Sequence, residues 1–370
     1  MDATGRLCSD YRVNPLVCMG GPKKFVDAEE RPTHIGKIMK LGIFLSTQFP
    51  PGTALESEID NILAQVQTAR KAGLSSVWVG QHIASGPLQM FQMLPLLARI
   101  VPEAEGMTIG SSVVLLSMQN PLQVAEEMAT LDWLSGGQLV MGAGIGYRKE
   151  EFEAAGVAMN TRGQRFEEAL DIVRRCWRGG EIDFSGKYFK FSQLVPSLQP
   201  MQPSGPPIWI AGEVEAAIRR AAVFGDAWIP LPIPNRKTLI PLLKLYRKER
   251  SIANLEPVKE QPLMREVYVG RDSVTAFNEC AGALKYKYQA YAGWGQKESA
   301  TSSTDFNADF RNFAQDRFII GDQETVHQEL KQYRDELGID HMICRVQWPG
   351  LSQTQVLATI ERLGTCAKEL

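Results

Sequence analysis

The sequence predicts an α/β protein, a (β/α)8 TIM barrel with a small inserted β-ribbon and a lid-like loop. Three observations carry that prediction. Eight short apolar runs alternate with amphipathic stretches from Lys40 onward, the mark of a parallel sheet. The run Thr108 to Leu116 is apolar and β-branched with little alternation, as in a strand buried on both faces. Glycines and polar residues gather just after several of the runs, where parallel α/β folds place their sites.

Taken in order, strand one is Lys40 to Ser46, ending in a Pro50-Pro51-Gly52 loop. A helix from about Glu56 to Lys71 presents Ile59, Ile62, Leu63 and Val66, and Gly73 closes it. Strand two is Ser76 to Val79, followed by Gln81 and His82, and a helix around Met90 to Ile100 leads to strand three at Thr108 to Leu116. Asn120 is an N-cap with Pro121 at the first helical position, and the helix sets Val124, Met128, Leu131 and Leu134 on one face. Ser135-Gly136-Gly137 stops it. Gln138 to Met141 is strand four, with a loop carrying Gly142, Gly144 and Gly146 behind it.

A long amphipathic helix, Arg162 to Arg178, carries Phe166, Leu170, Val173 and Trp177 on one face. Glu181 to Leu194 then breaks the rhythm with aromatic alternation and reads as the β-ribbon outside the barrel. Pro206 to Gly212 is strand five with a helix to Phe224, Asp226 to Ile229 is strand six, and Leu239 to Ile252 is a basic surface helix. Met264 to Gly270 is strand seven with a helix through Ala290. The polar stretch Gly293 to Gln315 follows, long enough to be either a lid or a disordered insertion. A helix near Glu324 to Leu337, strand eight at His341 to Val346 and a terminal helix from about Ser352 complete the pattern. Residues 1–38 carry no clean periodicity and read as an N-terminal extension, either an upstream-start segment or a disordered tail; the barrel domain is 39–370.

Composition excludes several classes. The chain has 370 residues, 44% hydrophobic and 22% charged, enough to bury a sizeable core. With 40 basic against 42 acidic residues it gives no footprint for nucleic acid or an anionic membrane. The longest apolar runs are too short to span a bilayer. Six scattered cysteines without a CxxC pair read as reduced thiols of a cytoplasmic protein. Only four histidines are present, none at metal-ligand spacing, so no metal site is expected.

His82 is the sharpest polar candidate. It follows a buried strand in VWVGQHI, at the end of the barrel that carries catalysis, and an imidazole there can donate or accept a proton near neutrality. Gly142-x-Gly144-x-Gly146 admits two readings: bare backbone for a flat or charged ligand, or a tight turn alone. A dinucleotide-fold reading fails, because the third glycine of that motif would fall at Tyr147 and several β/α units precede it. The turn Ala211-Gly212-Glu213-Val214 opens a helix, whose free N–H groups and dipole attract an anion. Trp348, Met90, Phe91 and Met93 suit a pocket wall and plain packing equally.

The run AEEMATLDWLSGGQLVMGAGIGYRKEEF, from Ala125 to Phe152, resembles the signature segment of the bacterial luciferase-like flavin monooxygenases, a family of (β/α)8 barrels. The likeness extends from Met39, whose MKLGIFLS is similar to the usual start, to about Leu363. It implies that Gly144, Ile145 and Gly146 line the flavin and that His82 stands where luciferases have a catalytic histidine. Gln81 replaces the glutamate common before that histidine. Ser112-Val113 matches a strand-three bulge with a non-prolyl cis peptide under the flavin. Ala211, Gly212, Glu213 and Val214 match the turn that holds the cofactor phosphate.

Departures accompany the likeness. Glu213 and Glu215 are carboxylates where small or hydroxyl residues are usual, and Ile145 replaces an arginine near the phosphate. Arg148, Lys149, Arg162 and Arg165 are the basic residues available to compensate. The function implied is flavin-dependent monooxygenation, in which reduced FMN from a separate flavin reductase and O2 oxidise a small organic substrate. The alternatives are an F420-dependent hydride-transfer oxidoreductase on the same barrel, or a non-catalytic barrel subunit paired with an active homologue. The likeness also implies a homodimer, and for the polar stretch after strand seven a lid that excludes water.

Overall fold

Eight parallel strands line the centre of the molecule: β1 (Lys40–Leu45), β2 (Ser76–Val79), β3 (Thr108–Leu115), β4 (Leu139–Gly144), β5 (Ile208–Ala211), β6 (Ala227–Ile229), β7 (Pro262–Val269) and β8 (His341–Arg345). The computed structural model describes residues 38–293 and 310–370. Nearly all of the expected N-terminal extension and most of the expected lid, residues 294–309, lie outside the described residues.

The strands pair in the order β6-β5-β4-β3-β2-β1-β8-β7. β1 joins the first and last units, with Gly42 level with Ser76 on one side and Ile343 on the other. The Gln261 side-chain amide donates to the Trp228 carbonyl at 3.1 Å, bridging β6 to β7 and closing the ring. A further short strand, Ile319–Gly321, adds in parallel to the end of β7. The sequence analysis missed it, because three residues directly behind a polar stretch carry too little pattern.

Helices cover the outside: α1 (Leu55–Lys71), α2 (Met93–Ile100), α3 (Pro121–Leu134), α4 (Lys149–Ala154), α5 (Arg162–Arg178), α6 (Glu215–Phe224), α7 (Arg236–Ile252) and α8 (Ser273–Gly293). α9 (Phe310–Ala314), α10 (Gln323–Leu337) and α11 (Gln353–Ala367) follow. Asn120 caps α3 as expected, accepting from the Leu122 and Gln123 amides at 3.0 and 3.4 Å. Val124, Met128 and Leu131 are buried, but Leu134 is 55% exposed. It is the last helical residue, where the chain turns from the barrel into Ser135-Gly136. On α5, Phe166, Leu170, Val173 and Trp177 are all buried, and the Trp177 indole donates to the Ala125 carbonyl at 3.0 Å.

The inserted ribbon is an antiparallel pair, Ile182–Ser185 with Lys190–Leu194. The Glu168 carboxylate accepts from the Lys187, Tyr188 and Phe189 amides at its tip. A second small pair, Gln48–Phe49 with Gln89–Met90, stands over the barrel mouth and has no counterpart in the sequence reading. The ends of the expected lid-like stretch are helical: Gly293 ends α8, and α9 packs Phe313 against Tyr288 and Phe318.

The barrel interior is filled, not open. Trp78 and Trp209 stack with centroids 4.9 Å apart, and His341 meets both edge-on. Gly110 makes room for this pair, since a Cβ there would lie 2.1 Å from the Trp78 ring. The Trp78 indole donates to the Ser76 hydroxyl, which also contacts His341, and the other His341 nitrogen reaches Glu260 at 2.8 Å. The lower barrel is therefore sealed, leaving the C-terminal rim for chemistry.

Candidate active site

Parallel strands bring their C-terminal ends to one rim, and a cavity of about 290 Å³ opens there. All ten residues singled out from sequence line it: His82, Ser112, Val113, Gly144, Ile145, Gly146, Ala211, Gly212, Glu213 and Val214. They arrive from the ends of β2, β3, β4 and β5. Phe44, Met90, Ile229 and Met264 supply apolar wall. Trp348 does not reach the cavity; it is buried and donates its indole N–H to Glu266. Met93 is core, and Phe91 packs against that core.

His82 Nδ1 lies 2.8 Å from the Glu151 carboxylate. The imidazole is 18% exposed and Glu151 fully buried, so the pair sits at the cavity wall with the acid behind the base. An ionised carboxylate only accepts, which puts the imidazole proton on Nδ1 and makes Nε2 the basic nitrogen. Glu151 also accepts from the Ile83 amide at 3.1 Å and faces Arg148 at 3.4 Å. Arg148 in turn donates to the Ile83 and Ala84 carbonyls, holding Ala84 at φ 48. The loop that carries His82 is thus tied down on three sides. Tyr147 stands edge-on to the imidazole at 5.9 Å.

Sequence reasoning missed Glu151. It noted only that Gln81 lacks the usual negative charge beside the histidine. Gln81 has other work: its side-chain oxygen accepts from the Leu115 amide at 2.9 Å and from Gln119 at 3.0 Å, fixing the end of β3. The carboxylate beside His82 comes instead from α4, inside the very segment that carries the family resemblance.

Between Ser111 and Val114 the pairing of β3 with β4 shifts register, and the Ser112–Val113 peptide is cis. The glycines of β4 answer to this bulge. Gly142 and Gly144 belong to the strand itself, not to a loop behind it. A Cβ on Gly144 would lie 2.7 Å from a Val113 methyl, and Gly146 adopts φ +75, a conformation glycine tolerates best. Packing and turn geometry therefore account for both glycines, and the same bare backbone faces the cavity.

At the β5 end, Val214 is the N-cap of α6 and gives no side-chain cap; the Ala217 amide bonds the Val214 carbonyl at 2.8 Å, and both residues line the cavity. Glu213 beside them is 5% exposed. Of the basic candidates, only Arg162 lines the cavity. Arg148 is buried against the His82 loop, Lys149 is exposed and pairs with Glu153, and Arg165 donates to the Ser117 carbonyl.

Arg345 is the second functional candidate that sequence reading passed over. It ends β8, lines the cavity and stacks 4.5 Å from the Phe44 ring centre. A cation closing an apolar strand at the catalytic rim was the available signal. Glu266 lies 3.5 Å away and also receives Lys287, Tyr288 and Trp348. Burial pushes the Glu266 carboxyl up, but Lys287 and Arg345 outweigh it and hold it below the usual carboxylate range.

A family model described as luciferase-like monooxygenase matches residues 39–341. The chain belongs to the luciferase-like monooxygenase family. Among curated relatives, it is 27% identical over 233 residues to a phthiodiolone/phenolphthiodiolone dimycocerosates ketoreductase of Mycobacterium tuberculosis. That match covers 56% of this chain and 61% of the relative, so the chain spans about three fifths of the relative's length. Among solved structures, it is similar to an F420-dependent secondary alcohol dehydrogenase in complex with an F420-acetone adduct, with TM-score 0.74, 18% identity and coverage of 89% of this chain and 99% of that one. It is equally similar in fold to the FMN complex of a type II Baeyer–Villiger monooxygenase, the oxygenating constituent of 3,6-diketocamphane monooxygenase from Pseudomonas putida. There the TM-score is 0.74, the identity 16% and the coverage 89% and 98%. The barrel is the one its structural neighbours share.

Proposed function

We propose that the chain is a flavin-dependent monooxygenase that takes reduced FMN from a separate reductase, with O2, to oxidise a small organic substrate. The observation that supports it best is the joint position of His82 and the Ser112–Val113 bulge on one largely apolar cavity. A flat ring suits the bare backbone of Gly144 to Gly146 and the side of Val113. The start of α6, without a side-chain cap, and Arg162 suit an anionic tail. Glu213 opposes that anion, which favours a reduced flavin that comes and goes over one held permanently. When bound, the flavin supplies the redox chemistry.

The chain's own residues do the rest. Gly144, Ile145, Gly146, Ser112 and Val113 position the ring, and Ala211, Gly212, Val214 and Arg162 orient the tail. His82, its tautomer set by Glu151, holds or moves a proton at Nε2. The apolar wall excludes water. A homodimer belongs to the same proposal and is checked by light scattering of the purified protein.

The likeness to an F420-bound dehydrogenase, together with the lack of an arginine at position 145 and the carboxylate of Glu213, favours a second reading: hydride transfer with F420. Titration with reduced FMN and with F420, read by thermal stabilisation, separates the two, and substrate-dependent oxygen consumption tests the monooxygenase. Stabilisation by F420 alone would replace the first reading with the second.

A further inference from the structure

One side chain of the cavity wall is only half used by the fold. Gln81 follows β2 and lines the cavity next to His82. Its side-chain oxygen lies 2.9 Å from the Leu115 amide nitrogen and 3.0 Å from the Gln119 side-chain nitrogen. A backbone N–H can only donate, so the atom facing Leu115 is the oxygen, and the orientation of the carboxamide is fixed. Both acceptor positions of that oxygen are taken. The NH2 group makes no hydrogen bond to any of the described residues.

We propose that Gln81 is a specificity-determining residue: its NH2 group donates to an uncharged carbonyl oxygen, and the substrate is a carbonyl compound with an apolar body. The inference rests on the cavity being the active site of the reading above, and it holds for either cofactor.

An amide nitrogen carries donors only, so a ligand that meets it must offer an acceptor. The surroundings say which kind. Thr47 and Ser112 line the same cavity from β1 and β3, the neighbours of β2 in the sheet. Both are neutral, and their hydroxyls make no hydrogen bond to the described residues. Thr47 is 3% exposed, so what surface it has is cavity wall. A neutral donor gives a carboxylate no ion pair to offset its loss of water, whereas a carbonyl oxygen gives up far less. Phe44 supplies the apolar side: its ring lies against Gly80, where a Cβ would stand 3.0 Å from it, directly before Gln81 in the chain. His82 is the residue after, so an oxygen held by Gln81 sits on the stretch of wall that carries the imidazole.

The test is calorimetric titration of the full chain with acetophenone and with α-methylstyrene, the same shape with a methylene in place of the carbonyl oxygen, for the parent and Gln81→Glu. The glutamate keeps an oxygen toward Leu115 and Gln119 and replaces the NH2 by a second oxygen, so the hold on β3 survives while the donor is lost. The parent is expected to bind acetophenone about fivefold more tightly than α-methylstyrene, and Gln81→Glu to lose that preference. The infrared carbonyl stretch of bound acetophenone should rise in the variant as the hydrogen bond is removed. Affinities for reduced FMN and F420 should stay within about twofold. Equal binding of the two probes by the parent, or a preference that survives Gln81→Glu, overturns the proposal. A parallel loss of cofactor affinity also overturns it, by making Gln81 a cofactor ligand. Should Gln81→Glu fail to fold by circular dichroism, Gln81→Met carries the comparison through the ratio of the two affinities, because damage to the end of β3 weakens both probes alike. If neither cofactor binds the parent while the Gln81-dependent preference persists, the cofactor reading fails and the carbonyl subsite stands.

Discussion

His82 and Glu151 lie 69 residues apart in the chain and 2.8 Å apart in space. If His82 moves a proton during turnover, His82→Ala lowers kcat by about 10²-fold or more, with the thermal midpoint nearly unchanged because the ring is part of the cavity wall. A variant with parental turnover would remove His82 from the chemistry. Glu151→Ala behaves differently: it removes the buried carboxylate that faces Arg148 and accepts from the Ile83 amide, and costs about 3–5 kcal/mol of stability. In the same variant the imidazole 15N shifts of His82 should change from the Nδ1–H form to a mixture, whereas an unchanged spectrum would show that Glu151 does not set the tautomer. His82 was legible because a histidine directly behind a buried strand is rare enough to notice. Glu151 was not, because in RKEEF it looks like one more solvated helical carboxylate, and only the fold turns it under the β2 loop.

At the scale of elements, the long apolar runs and the capped or amphipathic helices were readable, and the short or dual-purpose ones were not. Three-residue strands such as Ile319–Gly321 fall below any periodic signal. The glycines of β4 read as a loop, yet they are strand residues that yield space to the bulge of β3. Packing of this kind gives a direct expectation. Gly110→Ala would press a methyl into the Trp78 ring and destabilise the barrel by about 1–3 kcal/mol, measured by denaturant unfolding. No loss would mean that the Trp78–Trp209 stack has room to move.

The floor of the barrel gives a pH expectation. Burial raises the Glu260 carboxyl, but hydrogen bonding and charge from His341, together with Lys40, outweigh it and bring it down to about 2 from an ordinary 4.5. A depressed carboxyl contributes stability that is complete above 4.5 and lost as pH falls through about 2. The parent's thermal midpoint should therefore fall more steeply across that window than that of Glu260→Gln. Parallel slopes would contradict the assignment.

For the whole molecule, the alternation of strands and helices specified the architecture, and the parallel order then placed every cavity residue at one rim. Among the described residues no helix is long and apolar enough to cross a membrane, and no cluster of His, Cys, Asp and Glu would hold a metal ion. What the chain acts on was not legible, because the cavity is assembled from the ends of separate strands whose inward side chains only the fold selects. Arg345 illustrates this: nothing in HMICRVQW marks it as a cavity residue.

The central claim is that this cavity takes a reduced flavin transiently between the β3 bulge and the start of α6. The most direct measurement is an anaerobic titration of the full chain with reduced FMN, oxidised FMN and F420, followed by thermal midpoint. Selective stabilisation by reduced FMN, diminished in Arg162→Met, is the expected result. Stabilisation by F420 alone, or by none of the three, would contradict it.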